Sequence, residues 1–199
     1  MKNSDNRKRN WTFLVYPESV YENWKEYLDN LFIPYVVSPL HEFDINDDGT
    51  LKKPHFHVLF CFEGKKSYDQ ICEICDEIKA TRPFPVADKR KLIRYLVHID
   101  NKDKYQYSPD DIINCTGEDI AKYFLPSEDE KLHILADICR FIEEYQITEF
   151  NSLENYIRDV KYNEWYYTLK CEKVFIDMKL RSYRNVLKSS SIHHQPCND

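Results

Sequence analysis

Two apolar runs of strand length, PYVVSPL at 34–40 and VLFCF at 58–62, bracket the stretch HEFDINDDGTLKKPHFH that runs from His41 to His57. An apolar run, a polar loop and a second apolar run fold back as a β-hairpin. This feature constrains the chain most, because closing the hairpin brings both of its shoulders together. Alternate strand residues share a face, so His55 and His57 point one way and Phe56 the other. His41 ends the partner strand, and Asp44 follows three residues into the loop. Three imidazoles and a carboxylate converging on one hairpin end can hold a divalent metal. The alternative is a set of solvated loop histidines, which the His-apolar-His spacing opposite a third His argues against. Asp44, Asn46, Asp48 and Gly49 also match the first half of an EF-hand calcium loop. That loop needs a Glu at its twelfth position, where this chain has His55, and helices on both sides, where this chain has strands. A calcium hand is excluded.

Around the hairpin the pattern alternates. TFLVYP at 12–17 reads as a strand. Ser19 and Glu22 have the spacing of a capping box, predicting a helix with Tyr21, Trp24, Leu28 and Leu31 on one face. Strands follow at 34–41 and 55–62. Ser67 and Gln70 then cap a helix whose Ile71, Ile74, Cys75 and Ile78 fall at helical spacing. Cys72 and Cys75 form a CxxC pair, but no second pair follows and Cys75 sits in the apolar stripe, so core packing is its expected role. A weaker strand at 84–88 precedes a helix over 89–99. The order βαββαβ predicts an α+β, ferredoxin-like fold: an antiparallel sheet with helices packed on one face. On the last helix Leu92, Ile93, Leu96, Val97 and Ile99 make the apolar arc. Lys91, Arg94, Tyr95 and His98 lie opposite, with Tyr95 at the arc's edge. A tyrosine so placed has its ring braced and its hydroxyl exposed, which suits a nucleophile and equally suits an ordinary amphipathic tyrosine.

A hydrophobic content of 42% with 11 Phe and 15 Tyr supplies a core for one domain of ordinary size and a small second one. The net charge of −6 argues against coating nucleic acid by bulk charge. Charge is nevertheless uneven. Lys79, Arg82, Lys89, Arg90, Lys91 and Arg94 face Asp88 alone, a patch that can grip phosphates or serve as a solvated helix face. Seven cysteines at irregular spacing, with no apolar leader in MKNSDNRKRNW and no run of membrane-spanning length, predict a reducing, cytoplasmic setting without a membrane partner.

Pro126, with Ser127 and Glu130 as another capping box, marks a domain boundary. The expected division is 1–125 for the sheet domain, 126–187 for a small all-α domain and 188–199 for a disordered tail carrying His193 and His194. Leu132, Leu135, Cys139 and Ile142 are expected to line the first helix of the second domain. Leu153, Tyr156, Ile157 and Val160 line the next, and a third spans Trp165 to Val186. So few helices are marginal as an independent core, and their stripes are expected to cover other copies of the chain or the first domain.

SPLHEFD, KPHFHVLF and RYLVH, in that order, resemble the motifs of the HUH endonucleases, in which two histidines flank a hydrophobic residue. More narrowly they resemble the rolling-circle plasmid replication initiators of the Rep type 2 family. The opening TFLVYPES and the helical last third resemble that family too, so the likeness covers nearly the whole chain. The resemblance implies metal ligation by His41, Asp44, His55 and His57 and a nucleophile at Tyr95. Tyr105 and Tyr107 lie nearby, but neither falls in the YLVH context. It further implies the HUH endonuclease fold, an oligomer assembled through the helical domain, and DNA partners: a plasmid origin with duplex repeats and a single-stranded nick site. Host replication proteins would act alongside. Lys89, Arg90, Lys91 and Arg94 are the expected DNA contacts. A relaxase or transposase of the same class, or an origin or operator binder without chemistry, are the alternatives.

The implied chemistry suits these residue types. The anionic oxygens of a phosphodiester repel a nucleophile, and a divalent cation offsets that charge as it grows. Imidazoles mixed with a carboxylate suit Mn²⁺ better than Mg²⁺. A phenol is mostly protonated at neutral pH and needs a base, a cation or a metal's field to attack. Exchange of one phosphodiester for another leaves a 5′-phosphotyrosine and a free 3′ hydroxyl. Its reversal rejoins strands, as in a type I topoisomerase.

Overall fold

Strand β1 (Lys8–Val15) alternates cleanly, burying Trp11, Phe13 and Val15 on one side. It runs antiparallel to β3 (Phe56–Lys66), pairing Phe13 with Val58 and Leu14 with His57. The alternation therefore sends Phe56, Val58, Phe60 and Phe62 to one face and His57 and Leu59 to the other. The computed structural model describes residues 6–160 and 162–192 and divides into two compact units, 1–123 and 124–199.

In the first unit β2 (Tyr35–Val37), β4 (Phe84–Pro85) and β5 (Ile113–Asn114) complete an antiparallel sheet of order β4-β1-β3-β2-β5. The first four positions are the ferredoxin-like order, so the α+β class expected from the pattern is the one observed. On one face, α1 (Trp24–Asn30) contributes Trp24 and Leu28, and α2 (Tyr68–Glu77) contributes Ile71 and Cys75. Phe13 and Phe60 meet edge to face at 5.1 Å in that core. Ser67 and Gln70 form their capping box. Cys75 is fully buried, and burial pushes its thiol up to about 12, so it packs as an inert small hydrophobe.

Four expectations for this unit are corrected. The Ser19–Glu22 box does not form, because the amides of Ser19 and Val20 bond to the Tyr16 carbonyl in a turn after the strand. The helix starts only at Trp24 and leaves Tyr21 half exposed. The strand at 84–88 shrinks to Phe84–Pro85 on the sheet edge, where the missing amide of proline is tolerated. Strand β5, two exposed residues with no alternation to announce it, pairs with Val36 and Val37.

The fourth correction concerns α3 (Lys89–Tyr95), capped by the Asp88 carboxylate on Lys91 N–H. It lies over the sheet face opposite α1 and α2: Tyr95 contacts His57, and the Leu96 carbonyl contacts His41. The helix stops at Tyr95 rather than Ile99, and His98 takes a left-handed φ of 58°. Helices thus cover both faces of the sheet.

Among the described residues the second unit holds four helices, α4 (Glu128–Glu144), α5 (Phe150–Val160), α6 (Tyr162–Cys171) and α7 (Lys173–Ile192). Their stripes bury against one another. Ile138, Ile142, Leu153, Ile157, Leu169, Ile176 and Leu180 form a core of their own, which corrects the expectation that too few helices were present to make one. On α4 the buried stripe is Ile138 and Ile142, not a line through Leu132, which stands 65% exposed. Val160 is likewise exposed on α5. The helix expected over 165–186 breaks at Glu172 into α6 and α7. The second of these continues to Ile192, so residues 188–192 are helical rather than tail. His193 and His194 lie outside the described residues. Ile142→Ala is expected to destabilise this unit by roughly 2–5 kcal/mol, read from chemical denaturation followed by helical circular dichroism. An effect below about 1 kcal/mol would show that the four-helix core is not a cooperative unit.

Candidate metal centre and nucleophile

The hairpin forms and its shoulders meet. His41 and His55 face each other across an isolated bridge, exchanging backbone hydrogen bonds of 2.9 and 3.3 Å. Alternation along β3 puts His57 on the same face. Ring centroids lie 5.4 Å apart for His41–His55, 4.9 Å for His41–His57 and 5.1 Å for His55–His57. One nitrogen from each of the three comes within 4.8 Å of the others. The loop closes through Ile45 opposite Leu51, and Lys52 N–H donates to the Asp44 carbonyl at 2.8 Å. That closure turns the Asp44 carboxylate inward, where it is only 5% exposed.

Outer contacts fix which nitrogen of each ring can act. His41 Nε2 donates to the Leu96 carbonyl at 2.8 Å, which leaves the lone pair on Nδ1. That Nδ1 is buried, has no hydrogen-bond partner and sits 3.5 Å from Asp44 Oδ2. His55 Nδ1 donates to the Lys53 carbonyl at 2.8 Å, leaving Nε2 as the lone-pair nitrogen. Such second contacts, which orient imidazoles and hold one tautomer, are the usual support of metal ligands. An orphaned buried lone pair beside a carboxylate is costly without a partner, and a cation supplies one. The donor set therefore fits a divalent metal.

Burial pulls His41 down to about 4 and His57 to about 2, with the neighbouring imidazoles adding to the effect. Both rings are therefore neutral in the folded chain at pH values where the unfolded chain protonates them. Metal-free protein is expected to be fully stabilised above pH 6.5 and to lose stability as pH falls below it. The loss is about 1.4 kcal/mol per pH unit for each such ring, and His41's contribution is exhausted near pH 4. Urea midpoints of chelator-treated protein measured between pH 7 and 4.5 check this. A slope unchanged in His57→Gln would refute it.

Two residues that the sequence reading ranked low or passed over belong to the cluster. Tyr107 stacks on His41, rings parallel within 1° at 4.3 Å. Its hydroxyl donates to Asp44 Oδ1 at 3.1 Å and accepts from Phe43 N–H at 3.1 Å. Burial, reinforced by Asp44, pushes this phenol up to about 12. Tyr107 is thereby held as a hydrogen-bond donor. His98 is fully buried, donates from Nδ1 to the Tyr105 carbonyl at 2.9 Å and groups with His41 and Asp44 as a second possible ligand set. Its Nε2 is buried and unpartnered. An ideal helical wheel put His98 on the polar side. The left-handed turn after Tyr95 rotates it inward, and its place in the RYLVH motif was the available signal.

Tyr95 stands beside the imidazoles, its ring edge-on to His57 at 5.5 Å. Lys104 Nζ donates to its hydroxyl at 3.0 Å and lies 4.7 Å over the ring. Nothing in the polar run NKDKYQY marks Lys104 before folding. Of the four expected DNA contacts, Lys89 pairs with Glu118 at 2.7 Å, and that pairing holds the Glu118 carboxyl down at about 2. Arg94 is tied to Asp100 at 2.7 Å and to the Tyr123 carbonyl at 3.1 Å. These two cations are thus engaged within the unit; Lys91 is exposed and Arg90 half-buried on α3.

The ferredoxin-like sheet thus carries on one face a cluster of side chains that could hold a metal ion, with a tyrosine beside it. Residues 3–121 match the family of the plasmid replication protein, origin binding domain, and residues 128–189 match the family of replication protein RepB, C-terminal. The chain belongs to the plasmid replication proteins, and its first unit is their origin binding domain, with DNA as its partner. It is 38% identical over 170 residues to a replication protein of Staphylococcus aureus, covering 83% of this chain and 85% of the relative. It is 39% identical over 150 residues to a replication protein RepB of Lactiplantibacillus plantarum, covering 75% and 68%. A replication protein RepB of Streptococcus agalactiae is 27% identical over 162 residues, covering 76% and 77%. Among the described residues no helix is long and apolar enough to cross a membrane.

Proposed function

We propose that the chain initiates rolling-circle replication of a plasmid as an HUH endonuclease, nicking one strand at the origin and rejoining it through Tyr95. The observation that carries the reading is the Tyr95 hydroxyl, in contact with Lys104, on the same sheet face as three clustered imidazoles and a buried carboxylate. His41 through Nδ1, His55 through Nε2, His57 and Asp44 would hold one Mn²⁺ or Mg²⁺, which would draw charge from the scissile phosphate. Tyr95 Oη attacks phosphorus, forming the phosphotyrosine bond as the bond to the 3′ oxygen breaks. The phenolic proton leaves Oη and the 3′ oxygen ends as a hydroxyl, which a polymerase of the host can extend. The ammonium of Lys104 favours the negative charge that passes through Oη during this exchange. Tyr107, donating to Asp44 and stacked on His41, keeps both ligands aimed. Attack by the 3′ hydroxyl on the phosphotyrosine reverses the step and closes the strand.

The test is incubation of the protein and Mn²⁺ with supercoiled plasmid carrying the element's own origin. Expected products are relaxed closed circles and nicked circles with protein attached to the 5′ end. Supercoils left intact at saturating protein, alongside specific origin binding, would leave a binder without chemistry.

The helical unit is proposed to assemble copies of the chain in the cytoplasm, so that several origin binding domains engage the repeats together. Full-length protein is expected to scatter light as an oligomer, and a chain ending at Pro126 as a monomer. The shortened chain should still cut single strands but bind duplex origin at least about tenfold more weakly, because tethered sites raise one another's effective concentration. A full-length monomer at working concentration removes this part of the reading.

A further inference from the structure

Against Tyr107, whose ring stacks on His41 of the imidazole cluster, lies an open cleft of about 540 Å³. Two aromatic rings stand half exposed on it, Phe43 at 47% and Tyr105 at 50%, with centroids 4.6 Å apart. Tyr105 meets Tyr107 at 4.8 Å, so an unbroken series of rings runs from the cleft to His41. Soluble proteins seldom leave two large rings side by side in water unless something covers them. The other lining groups say what. Glu42 and Asp111 bring carboxylates to the cleft, Gln106 an amide, and Lys25 an ammonium that lies 5.1 Å over the Phe56 ring. Carboxylates repel a phosphate but accept hydrogen bonds from an exocyclic amino group.

We infer that the Phe43–Tyr105 cleft holds one unstacked, amino-bearing nucleobase of the single strand whose phosphate reaches the neighbouring metal cluster. The inference rests on the reading that single-stranded DNA enters this site, and it adds a base-reading position to it. Every base has a face that stacks on an aromatic ring, and the carboxylates at the rim favour cytosine, adenine or guanine over thymine. The site needs no movement of the hairpin, because Phe43 N–H, the Tyr107 hydroxyl and Asp44 are already joined in one hydrogen-bonded chain.

The test measures binding, so it stands whether or not nicking is ever seen. Full-length protein is titrated by fluorescence anisotropy with labelled twelve-residue oligodeoxycytidine, oligothymidine and a duplex of the same length. The cytidine strand is expected to bind severalfold more tightly than the thymidine strand. Tyr105→Ala and Phe43→Ala should each weaken the cytidine strand by about tenfold and abolish the preference. Duplex affinity should stay unchanged, and Tyr105→Phe should behave as the parent. The Tyr105 carbonyl that holds His98 is backbone, so Tyr105→Ala leaves that contact in place. Equal affinity of the parent for the two strands would overturn the inference. So would parental affinity in both alanine variants, or an equal loss on duplex. If these results hold while the supercoiled plasmid stays uncut, the cleft survives and the nicking reading alone fails.

Discussion

Tyr95→Phe is expected to abolish both nicking and the covalent protein–DNA adduct, a loss of at least about 10³-fold. The phenyl ring would keep its edge contact with His57 and its place on α3, so folding and origin binding should be almost unaffected. Only the oxygen proposed to form the new ester bond is gone. The neighbouring phenols provide the internal control. Tyr107 is committed to Asp44 as a donor, and its hydroxyl is held protonated well above the ordinary range. Tyr107→Phe should therefore lower activity modestly through a less well-oriented carboxylate, and Tyr105→Phe should retain cutting. Lys104→Met should slow nicking, since the Lys104 ammonium donates to the hydroxyl proposed to attack and lies over the ring that bears it. Adduct formation by Tyr95→Phe, with its loss in either other variant, would move the nucleophile.

The second large effect is expected at the metal. Stripping the protein with excess EDTA should stop nicking altogether, and readdition of Mn²⁺ should restore it. His57→Ala should weaken Mn²⁺ binding by about 10²-fold or more in calorimetry and raise the metal concentration needed for nicking correspondingly. His57 is the better choice for this experiment than His41. Judged from sequence, either hairpin shoulder should be removable at little packing cost. In the structure His41 is fully buried, stacked under Tyr107 and bonded to the Leu96 carbonyl, so its removal also opens a cavity and frees a buried acceptor. His41→Ala is accordingly expected to lose stability as well as metal. Full activity after stripping, or no heat with Mn²⁺ in the parent, would refute the centre.

The chain's own pattern determined the parts of this protein that rest on local periodicity. Alternation in TFLVYP and FHVLF fixed which residues of β1 and β3 face the core, and with them the common face of His55 and His57. The Ser67–Gln70 cap and the stripe through Ile71 and Cys75 fixed α2, because a helix of that amphipathicity has one face to bury. What the tertiary structure decided is everything that depends on where a segment stops or what lies across from it. Helix α3 ends at Tyr95 because the chain turns left-handed at His98, and that single backbone choice moves a histidine from the presumed solvent side into the cluster. Tyr107 and Lys104 come from a polar run with no periodicity, and they reach Asp44 and Tyr95 only when the segment after α3 folds back across 63 and 9 residues of sequence. Lys89 and Arg94 read as phosphate grips until Glu118 and Asp100 are brought beside them. Hydrophobic period is a property of neighbours in sequence, whereas hydrogen-bond and ion-pair partners are set by the packing of distant segments. For that reason the shared face of the hairpin histidines was legible in the chain, and the groups that orient their rings were not.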